Sequence, residues 1–370
     1  MARTPSSPVA APNRITLLVI LSGAFLVTLG FFSINVAIPD MKRELHASDA
    51  TIQWVIAAFA VTLAGGLISG GRLGDIAGRR SMFAIGLAIF TLASAACGLA
   101  AGPPMLIAGR IVQGIGAALL LPQVLALIGA LYDGERRKRA FTMYGLTLGL
   151  AAVGGQLIGG LLVQADLANL GWRWCFLINV PIGIVAIVLV PLFVPAGQET
   201  RRGQLDFRGA VLGSAAIIAV VLAVIQGRAT GWPVWVWACL VGGVVAGLAF
   251  VRYQDRLRTA GGVPLVDLTL FANRPFAVGI LAVVTFFLGN ASFYLTLALY
   301  LQGGVGLSAL GSGEVFGLMG VGYFATALRP GWLVRRLGSG WLPVGAITMV
   351  VGYGVLLAAV LRDRSMDDAT

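Results

Sequence analysis

Residues 71–80 read GRLGDIAGRR and join two long apolar runs, residues 51–71 and 82–101. Each run is long enough to cross roughly 30 Å of hydrocarbon as a helix. Glycines let neighbouring backbones approach closely, and a carboxylate can cap the helix that follows. We therefore interpret the segment either as a positively charged turn or as a latch built from ion pairs and a cap, with these candidate residues: Gly71, Arg72, Gly74, Asp75, Gly78, Arg79 and Arg80.

The whole chain has the composition of a membrane protein. Of its 370 residues, 58% are apolar and 11% are charged, whereas about 25% are charged in soluble domains. The apolar runs lack the alternation of barrel strands, so they predict an all-α membrane protein. We predict eleven spans: 15–38, 51–71, 82–101, 105–131, 141–164, 174–195, 208–227, 232–252, 275–301, 309–331 and 341–361.

The basic residues indicate the orientation of these spans. Eighteen Lys and Arg residues fall in the N-terminus and the loops on one side, and six fall on the opposite side. Cytoplasmic loops carry this excess, which predicts a cytoplasmic N-terminus and, after an odd number of spans, an outside C-terminus. The formal charge of +11 is dispersed among loops and forms no single basic patch, so we expect no nucleic-acid partner.

An internal repeat predicts the domain organisation. The sequence GWLVRRLG, residues 331–338, shares Gly, Leu and Gly in register with residues 71–78 and follows the tenth span. Parallel repeats of this kind are typical of transporters. An offset of eight spans implies a six-helix bundle, two inserted helices and the first three helices of a second bundle, which three further helices would complete. The expected segments are 1–14, 15–195, 196–258, 259–361 and 362–370.

Arg110 lies about one turn into the fourth span. A charge inside a span is expensive and is usually turned toward the protein interior, although a long side chain can also reach the interface. Gln113 follows three positions later on the same helix face, which favours the inward orientation. In the fifth span Gly155, Gly159 and Gly160 are spaced for close helix packing.

The sequence contains few residues that could form a metal site, a cofactor site or an enzyme active site. The three cysteines have no paired spacing, and His46 is the only histidine, so we expect no metal site. A membrane enzyme would need a cluster of catalytic groups, which we do not find. The chain also lacks a phosphate-binding GxxxxGK[ST] loop, which points away from ATP as an energy source.

Seven further motifs join residues 71–80 in a resemblance that covers roughly residues 15–361. The chain resembles the major facilitator superfamily (MFS), specifically its fourteen-helix drug:proton antiporter branch of the EmrB/QacA type. The motifs are NVAIP at 35–39, QW at 53–54, GRIVQG at 109–114, GQLIGG at 155–160, GWRW at 171–174, FLINVP at 176–181 and DFRG at 206–209.

The resemblance implies a secondary transporter in the inner or plasma membrane that exports drugs or other lipophilic and amphipathic small molecules in exchange for protons. Arg110 would take part in proton coupling, Asp75 in the latch, and residues 155–160 in the antiporter motif. Substrate-pathway candidates are Asn35, Gln113, Gln156 and Asn179. The last two could instead bond across helices. No cofactor is implied, and the partners would be protons, the substrate and the lipid bilayer.

Three departures from the family pattern bear on this implication. Gly30 stands where family members often carry an aspartate, Gln156 replaces the usual proline, and the last three helices are not found in these 370 residues. By elimination Glu314, near the start of the tenth span, is the substitute coupling carboxylate, unless it is only a helix-entry residue. The alternative functions are a transport-inactive membrane fragment or a binding or assembly subunit. Uptake also remains open, since a fold does not decide direction.

Overall fold

The computed structural model describes residues 13–196, 206–327, 336 and 338–367. Twelve α-helices form its regular structure together with short 3₁₀ and π turns. The helices are α1 Arg14–Glu44, α2 Asp49–Ala77, α3 Arg79–Gly98, α4 Pro103–Leu131, α5 Gly134–Ala165, α6 Trp174–Leu177, α7 Asn179–Phe193, α8 Phe207–Thr230, α9 Val234–Thr259, α10 Arg274–Leu299, α11 Ala309–Ala327 and α12 Trp341–Asp367.

The helices coincide with the predicted spans. Within the described ranges, nine helical stretches are long and apolar enough to cross a membrane, with α6 and α7 together making one of them. A further apolar helix covers Pro343–Ala358. Most of the second copy of the repeat, residues 331–335 and 337, lies outside the described residues, as do the predicted N-terminal tail through Pro12 and most of the linker before α8.

Many helices extend beyond the predicted apolar runs. The first run ends at residue 38, yet α1 continues through Pro39 to Glu44, since a proline inside a helix removes only one hydrogen bond when packing holds the backbone. Likewise α2 continues through the GRLGDIAG segment to Ala77. That segment is therefore helical, and the turn to α3 is made at Gly78, whose φ of +93° suits only glycine.

The first six spans form one bundle. Helix α4 packs along both α2 and α3, α1 packs along α5, and α7 closes the bundle against α1 and α3. A hydrophobic core of α1, α3 and α4 side chains fills the centre, including Phe83, Phe90 and Leu120, all with no exposed surface. In a bilayer these side chains stabilise the bundle by van der Waals packing, because lipid tails are as apolar as they are.

The inserted pair, α8 and α9, packs on itself and along α2. Two polar contacts fix α8 on α2: Ser214 Oγ donates to the carbonyl oxygen of Gly65 at 2.5 Å, and Gln53 Nε2 donates to that of Ile225 at 3.2 Å. These bonds run between helices far apart in sequence. The inserted helices are therefore joined to the first bundle by direct hydrogen bonds.

Asp206 organises the entry to the inserted pair. Its carboxylate accepts hydrogen bonds from the backbone of Gly209 at 2.9 Å and from the side chains of Tyr253 and Gln254 at 2.8 Å each. Gln254 is fully buried and also accepts from the backbone of Leu265 at 2.6 Å. One carboxylate thus caps α8, holds the end of α9 and anchors the chain that leads to α10.

The chain divides into two compact units, residues 1–320 and 321–370. In the first unit α10 contacts α1, and residues of α11 up to Gly320 contact α5. In the second unit the 3₁₀ turn Gly338–Gly340 leads into α12.

Candidate functional site

Arg110 lies on α4 with none of its surface exposed. Its Nε donates to the carbonyl oxygen of Val55 on α2 at 3.0 Å, and Nη1 donates to Oε1 of Gln113 at 2.6 Å. The side chain therefore points into the bundle and does not reach the interface. Gln113, one turn further along α4, is the polar partner on the same helix face.

Aromatic rings surround the guanidinium of Arg110. Its central carbon lies 4.2 Å from the ring centre of Phe59 and 5.9 Å from that of Phe176. A cation over an aromatic face is attracted by the ring's electrons, and this attraction grows when water is excluded. The third nitrogen, Nη2, has no hydrogen-bond partner, and no ion pair involves Arg110 among the described residues. The site thus holds a positive charge with one free donor group.

Ser94 extends this polar contact to α3. Nε2 of Gln113 donates to Oγ of Ser94 at 2.8 Å, and Ser94 in turn donates to the carbonyl oxygen of Phe90 at 2.7 Å. All of these side chains are fully buried. The chain of bonds from Val55 to Phe90 joins α2, α4 and α3 around one charge.

The GRLGDIAG segment forms ion pairs but no cap. Asp75 lies within α2 and accepts from Arg79 at 3.1 Å, with Arg72 at 4.0 Å. The first residue of α3 has no side-chain cap, so the expectation that Asp75 caps α3 is wrong. The reason is that α2 runs on to Ala77, so that Asp75 lies inside α2 and its carboxylate pairs with the side chain of Arg79 instead of a backbone N–H of α3. Arg79 also donates to the carbonyl oxygen of Ala126 on α4 at 3.1 Å.

Glycines in the same segment allow α2 and α4 to touch. A Cβ on Gly74 would lie 1.9 Å from Oε1 of Gln123, a buried side chain whose Nε2 donates to the carbonyl oxygen of Gly70 at 2.8 Å. Gly71 is less crowded, with Pro122 at 3.5 Å from its ideal Cβ. Arg80 lies apart from this contact and donates to the carbonyl oxygen of Pro191 at 3.2 Å.

The glycines of α5 face α1. An ideal Cβ on Gly155 would lie 3.1 Å from Cβ of Phe32, and one on Gly159 would lie 2.9 Å from the carbonyl oxygen of Ser33. Gly160 is buried beside them. Small residues at these positions let the two backbones approach, as predicted for this motif.

The GWRW motif joins the opposite ends of several helices. Nε1 of Trp172, a buried side chain, donates to the carboxylate of Glu44 at 2.8 Å, and Arg173 pairs with the same carboxylate. Arg173 also donates to the carbonyl oxygen of Ala100 at 3.1 Å. This network ties the end of α1 to the α3–α4 connection at the end of the bundle remote from Asp75.

Gln156 and Asn179, two substrate-pathway candidates, are fully buried and incompletely bonded. Among the residues that the structure describes, neither the oxygen nor the nitrogen of the Gln156 amide has a hydrogen-bond partner, and the oxygen of Asn179 has none. Nδ2 of Asn179 donates weakly to the carbonyl oxygen of Cys175 at 3.4 Å. Asn35 is buried on α1, 6% exposed. Buried amides without hydrogen-bond partners are rare, which makes these two side chains candidates for a functional role.

Gly30 faces Asn179. A Cβ at Gly30 would lie 3.3 Å from Nδ2 of Asn179 and 3.4 Å from the ring of Phe90. An amide thus borders the position where the family often places a carboxylate. The local group facing Gly30 is neutral.

The side chain of Glu314 does not contact that of Arg110. The carboxylate is exposed on α11, and the described partners of Arg110 are Val55, Gln113 and the two rings. Proton coupling by Glu314 therefore stays a prediction. Any role with Arg110 would require movement between helices.

Sequence reasoning passed over Ser94, Gln123, Gln254 and Ser312, all buried polar residues. Ser94, Gln123 and Ser312 stand inside predicted spans, so the rule that singled out Gln156 could have found them. Gln254 lies outside the predicted spans, and nothing local marks it, since its partner Asp206 is 48 positions away.

Comparison with known proteins places this geometry in a family. A family model described as the Major Facilitator Superfamily matches residues 20–366. A probable actinorhodin transporter of Streptomyces coelicolor is 35% identical over 343 residues, which are 92% of this chain and 59% of the relative. A puromycin resistance protein of Streptomyces alboniger is 36% identical over 353 residues, 94% of this chain and 68% of the relative.

Another relative is the multidrug resistance protein Stp of Mycobacterium tuberculosis, 31% identical over 366 residues. That match covers 95% of this chain and 65% of the relative. This chain spans between about half and two thirds of the length of these relatives.

A solved structure agrees in fold. The crystal structure of a peptide transporter, POT, in complex with sulfate superimposes with a TM-score of 0.59 at 17% identity, covering 90% of this chain and 71% of that chain. At this identity the likeness concerns the fold alone. With the family match and nine helical stretches in the described ranges that are long and apolar enough to cross a membrane, this chain is a multi-pass membrane protein that belongs to the Major Facilitator Superfamily.

Proposed function

We propose that this protein is a secondary transporter that exports drugs or other lipophilic and amphipathic small molecules in exchange for protons, by alternating access between two helical bundles. It would act in the inner or plasma membrane with its N-terminus in the cytoplasm. The observation that carries the proposal is the fully buried Arg110, which has a free donor nitrogen and no acidic partner among the described residues.

A guanidinium stays protonated in proteins and is costly to bury in an apolar medium. Hydrogen bonds to Val55 and Gln113 and the ring of Phe59 offset part of that cost. The remaining donor can receive an acceptor that comes and goes, such as a substrate oxygen or a carboxylate on a moving helix. A charge that binds different partners in different states is what coupled transport requires.

The names of the relatives support the substrate class. One is a probable actinorhodin transporter, one is a puromycin resistance protein and one is a multidrug resistance protein. The first name refers to transport of actinorhodin, and the other two refer to resistance to puromycin and to several drugs. The absence of a phosphate-binding loop in the sequence supports an ion gradient as the energy source.

The function is tested by dye accumulation in efflux-deficient cells that express residues 1–370. We expect a neutral lipophilic dye to be excluded, and exclusion to cease when a protonophore collapses the gradient. Cells with an empty vector serve as the control, and membrane insertion is verified in parallel. Equal filling with the dye in all conditions, despite verified insertion, would contradict export and favour a binding or assembly role.

We also propose that the Asp75 ion pairs act as a conformational latch. Asp75→Asn removes the attraction to Arg79 and Arg72, which are partly exposed, so the stability cost should be below about 1 kcal/mol. Loss of one latched state should nevertheless slow export about tenfold, the effect of a shift of roughly 1.4 kcal/mol between conformations. Initial efflux rates and thermal midpoints measure the two effects.

Asp133→Asn is the matched control for Asp75→Asn. It removes an ion pair of the same spacing, with Arg137 at 2.9 Å, on the exposed start of α5. Its export rate should equal that of the unmodified protein. Equal slowing by both variants would mean that surface charge, and not the latch, sets the rate.

A further inference from the structure

Aromatic rings meet where α10 and α11 contact the first bundle. Phe32 of α1 stands edge-on to Tyr294 of α10 with ring centres 5.2 Å apart, and Tyr294 lies 5.6 Å from Phe316 of α11. The ring centre of Phe31 lies 5.2 Å from that of Phe32 and 6.1 Å from that of Phe59. We call these five rings the aromatic seam.

The seam offers ring surface to a ligand. Its two ends, Phe59 and Phe316, are buried at 1% and 0% exposure, whereas Phe31, Phe32 and Tyr294 between them are only partly buried. Aromatic pairs prefer offset or edge-to-face contacts at 4.5–7 Å, the separations that these rings already have. A flat aromatic ligand could make contacts of the same kind with the three partly buried rings.

Two residues with unpartnered polar groups lie next in sequence to glycines at the contacts of α5 with α1 and α11. Within the described part of the chain, both polar atoms of the Gln156 amide and Oγ of Ser312 are fully buried and without hydrogen bonds. A Cβ added to Gly155, the residue before Gln156, would lie 3.1 Å from Cβ of Phe32. A Cβ added to Gly313, the residue after Ser312, would lie 3.0 Å from the carbonyl oxygen of Gln156.

Such groups recognise a particular ligand chemistry. The amide offers two N–H donors and one acceptor, and the serine hydroxyl offers one of each. Leaving them buried and unpaired is unfavourable, so a ligand that forms hydrogen bonds with them gains the free energy of those bonds. Carbonyl and hydroxyl groups on the ligand satisfy both side chains, whereas a hydrocarbon satisfies neither.

The charge near the seam disfavours cations. The guanidinium of Arg110 lies against Phe59, at one end of the seam, and no acidic residue pairs with it in the described part of the chain. The carboxylate of Glu314 lies two positions after Ser312, about 200° around the helix, and is exposed. A ligand at the seam therefore meets one uncompensated positive charge in surroundings of low dielectric constant.

We infer that the aromatic seam, with Gln156 and Ser312, binds a flat aromatic compound that carries carbonyl or hydroxyl groups and no positive charge. The inference rests on the proposed export function, because it names the substrate class of that transporter. It narrows the broad class of lipophilic and amphipathic compounds to neutral or acidic oxygenated aromatics.

Equilibrium dialysis with purified protein, residues 1–370 in lipid nanodiscs, tests this inference without requiring transport. Three probes of similar hydrophobicity separate the contributions: a dihydroxyanthraquinone, the same ring system with a quaternary ammonium group, and a saturated polycyclic alcohol. We expect saturable binding of the dihydroxyanthraquinone. The cationic analogue should bind about tenfold more weakly or not at all, and the saturated alcohol also more weakly.

Variants locate the site. Phe32→Leu and Tyr294→Leu should each weaken binding of the dihydroxyanthraquinone about two- to tenfold, the loss of one ring contact. Gln156→Met and Ser312→Ala should weaken it without changing the affinity for the saturated alcohol. Phe287→Leu is the control, because its ring lies on the same helix as Tyr294 and is 57% exposed. Elution as a single species in size-exclusion chromatography verifies that each variant is folded.

The outcomes separate the two proposals. Binding of the neutral aromatic probe together with failed export would overturn the proposed function and leave the inference standing. The inference is overturned if the cation binds as tightly as the neutral probe, if Phe287→Leu has the same effect as Tyr294→Leu, or if no probe binds saturably to folded protein. Export of only cationic dyes in cells would also overturn it.

Discussion

Gly70→Ala should prevent the folded protein from accumulating, whereas Gly71→Ala, one position further, should leave its stability nearly unchanged. A Cβ on Gly70 would lie 2.1 Å from the carbonyl oxygen and 2.8 Å from the carbonyl carbon of Ala118. Both atoms belong to the backbone of α4, which cannot rotate away as a side chain could. The two helices would have to separate, and we expect a cost above about 3 kcal/mol, the upper part of the range for overpacking.

Thermal unfolding in detergent, followed by fluorescence-detected size-exclusion chromatography, measures this difference. At Gly71 the nearest atom to an added Cβ is Pro122 Cβ at 3.5 Å, an ordinary van der Waals contact. Alanine there removes backbone freedom from the unfolded chain and adds no clash. Equal midpoints for the two variants would show that α2 and α4 do not approach as closely as described.

Arg110→Met should abolish protonophore-sensitive export and leave thermal stability unchanged or higher. The reason is that Arg110 is a buried charge with no counter-ion among the described residues, so an apolar side chain of similar length removes its desolvation cost, which offsets the lost bonds to Val55 and Gln113. Export should fall by more than about tenfold if the charge is needed in the transport cycle. Dye efflux is measured in cells that express each variant, and the thermal midpoint is measured on protein purified from the same cells.

Arg110→Lys distinguishes charge from geometry. Lysine keeps the charge but cannot form the fork that reaches both Val55 and Gln113 at 3.0 and 2.6 Å. We expect most of the export to be lost here too. Arg43→Lys, at an arginine whose side chain is 80% exposed, is the control and should export normally. Normal export by Arg110→Met would refute a coupling role for Arg110.

The membrane spans could be predicted because their signal is local. Hydropathy over some twenty residues decides whether a segment enters the bilayer, and this needs no tertiary information. The predicted ends of the spans were less accurate, because helices continue beyond the apolar runs where tertiary contacts stabilise them. Extension of α1 to Glu44 is an example: that residue receives bonds from Trp172 and Arg173, which lie 128 and 129 positions away.

Partners of individual polar residues could not be predicted in the same way. The sequence left open whether Arg110 faces inward or snorkels, and packing against Val55 and Phe59 of α2 decided it. It also suggested a capping role for Asp75, which the continuation of α2 replaced with ion pairs to Arg72 and Arg79.

The sequence by itself determined the all-helical membrane class, the helical spans and the family, because composition, apolar length and short motifs are properties of contiguous residues. Only the tertiary structure decided which polar groups have partners and which rings meet. Phe32 and Tyr294 are 262 positions apart, and Gln156 and Gly313 are 157 apart. Contacts of that kind depend on how helices cross, and helix crossing is set by close packing across the whole bundle.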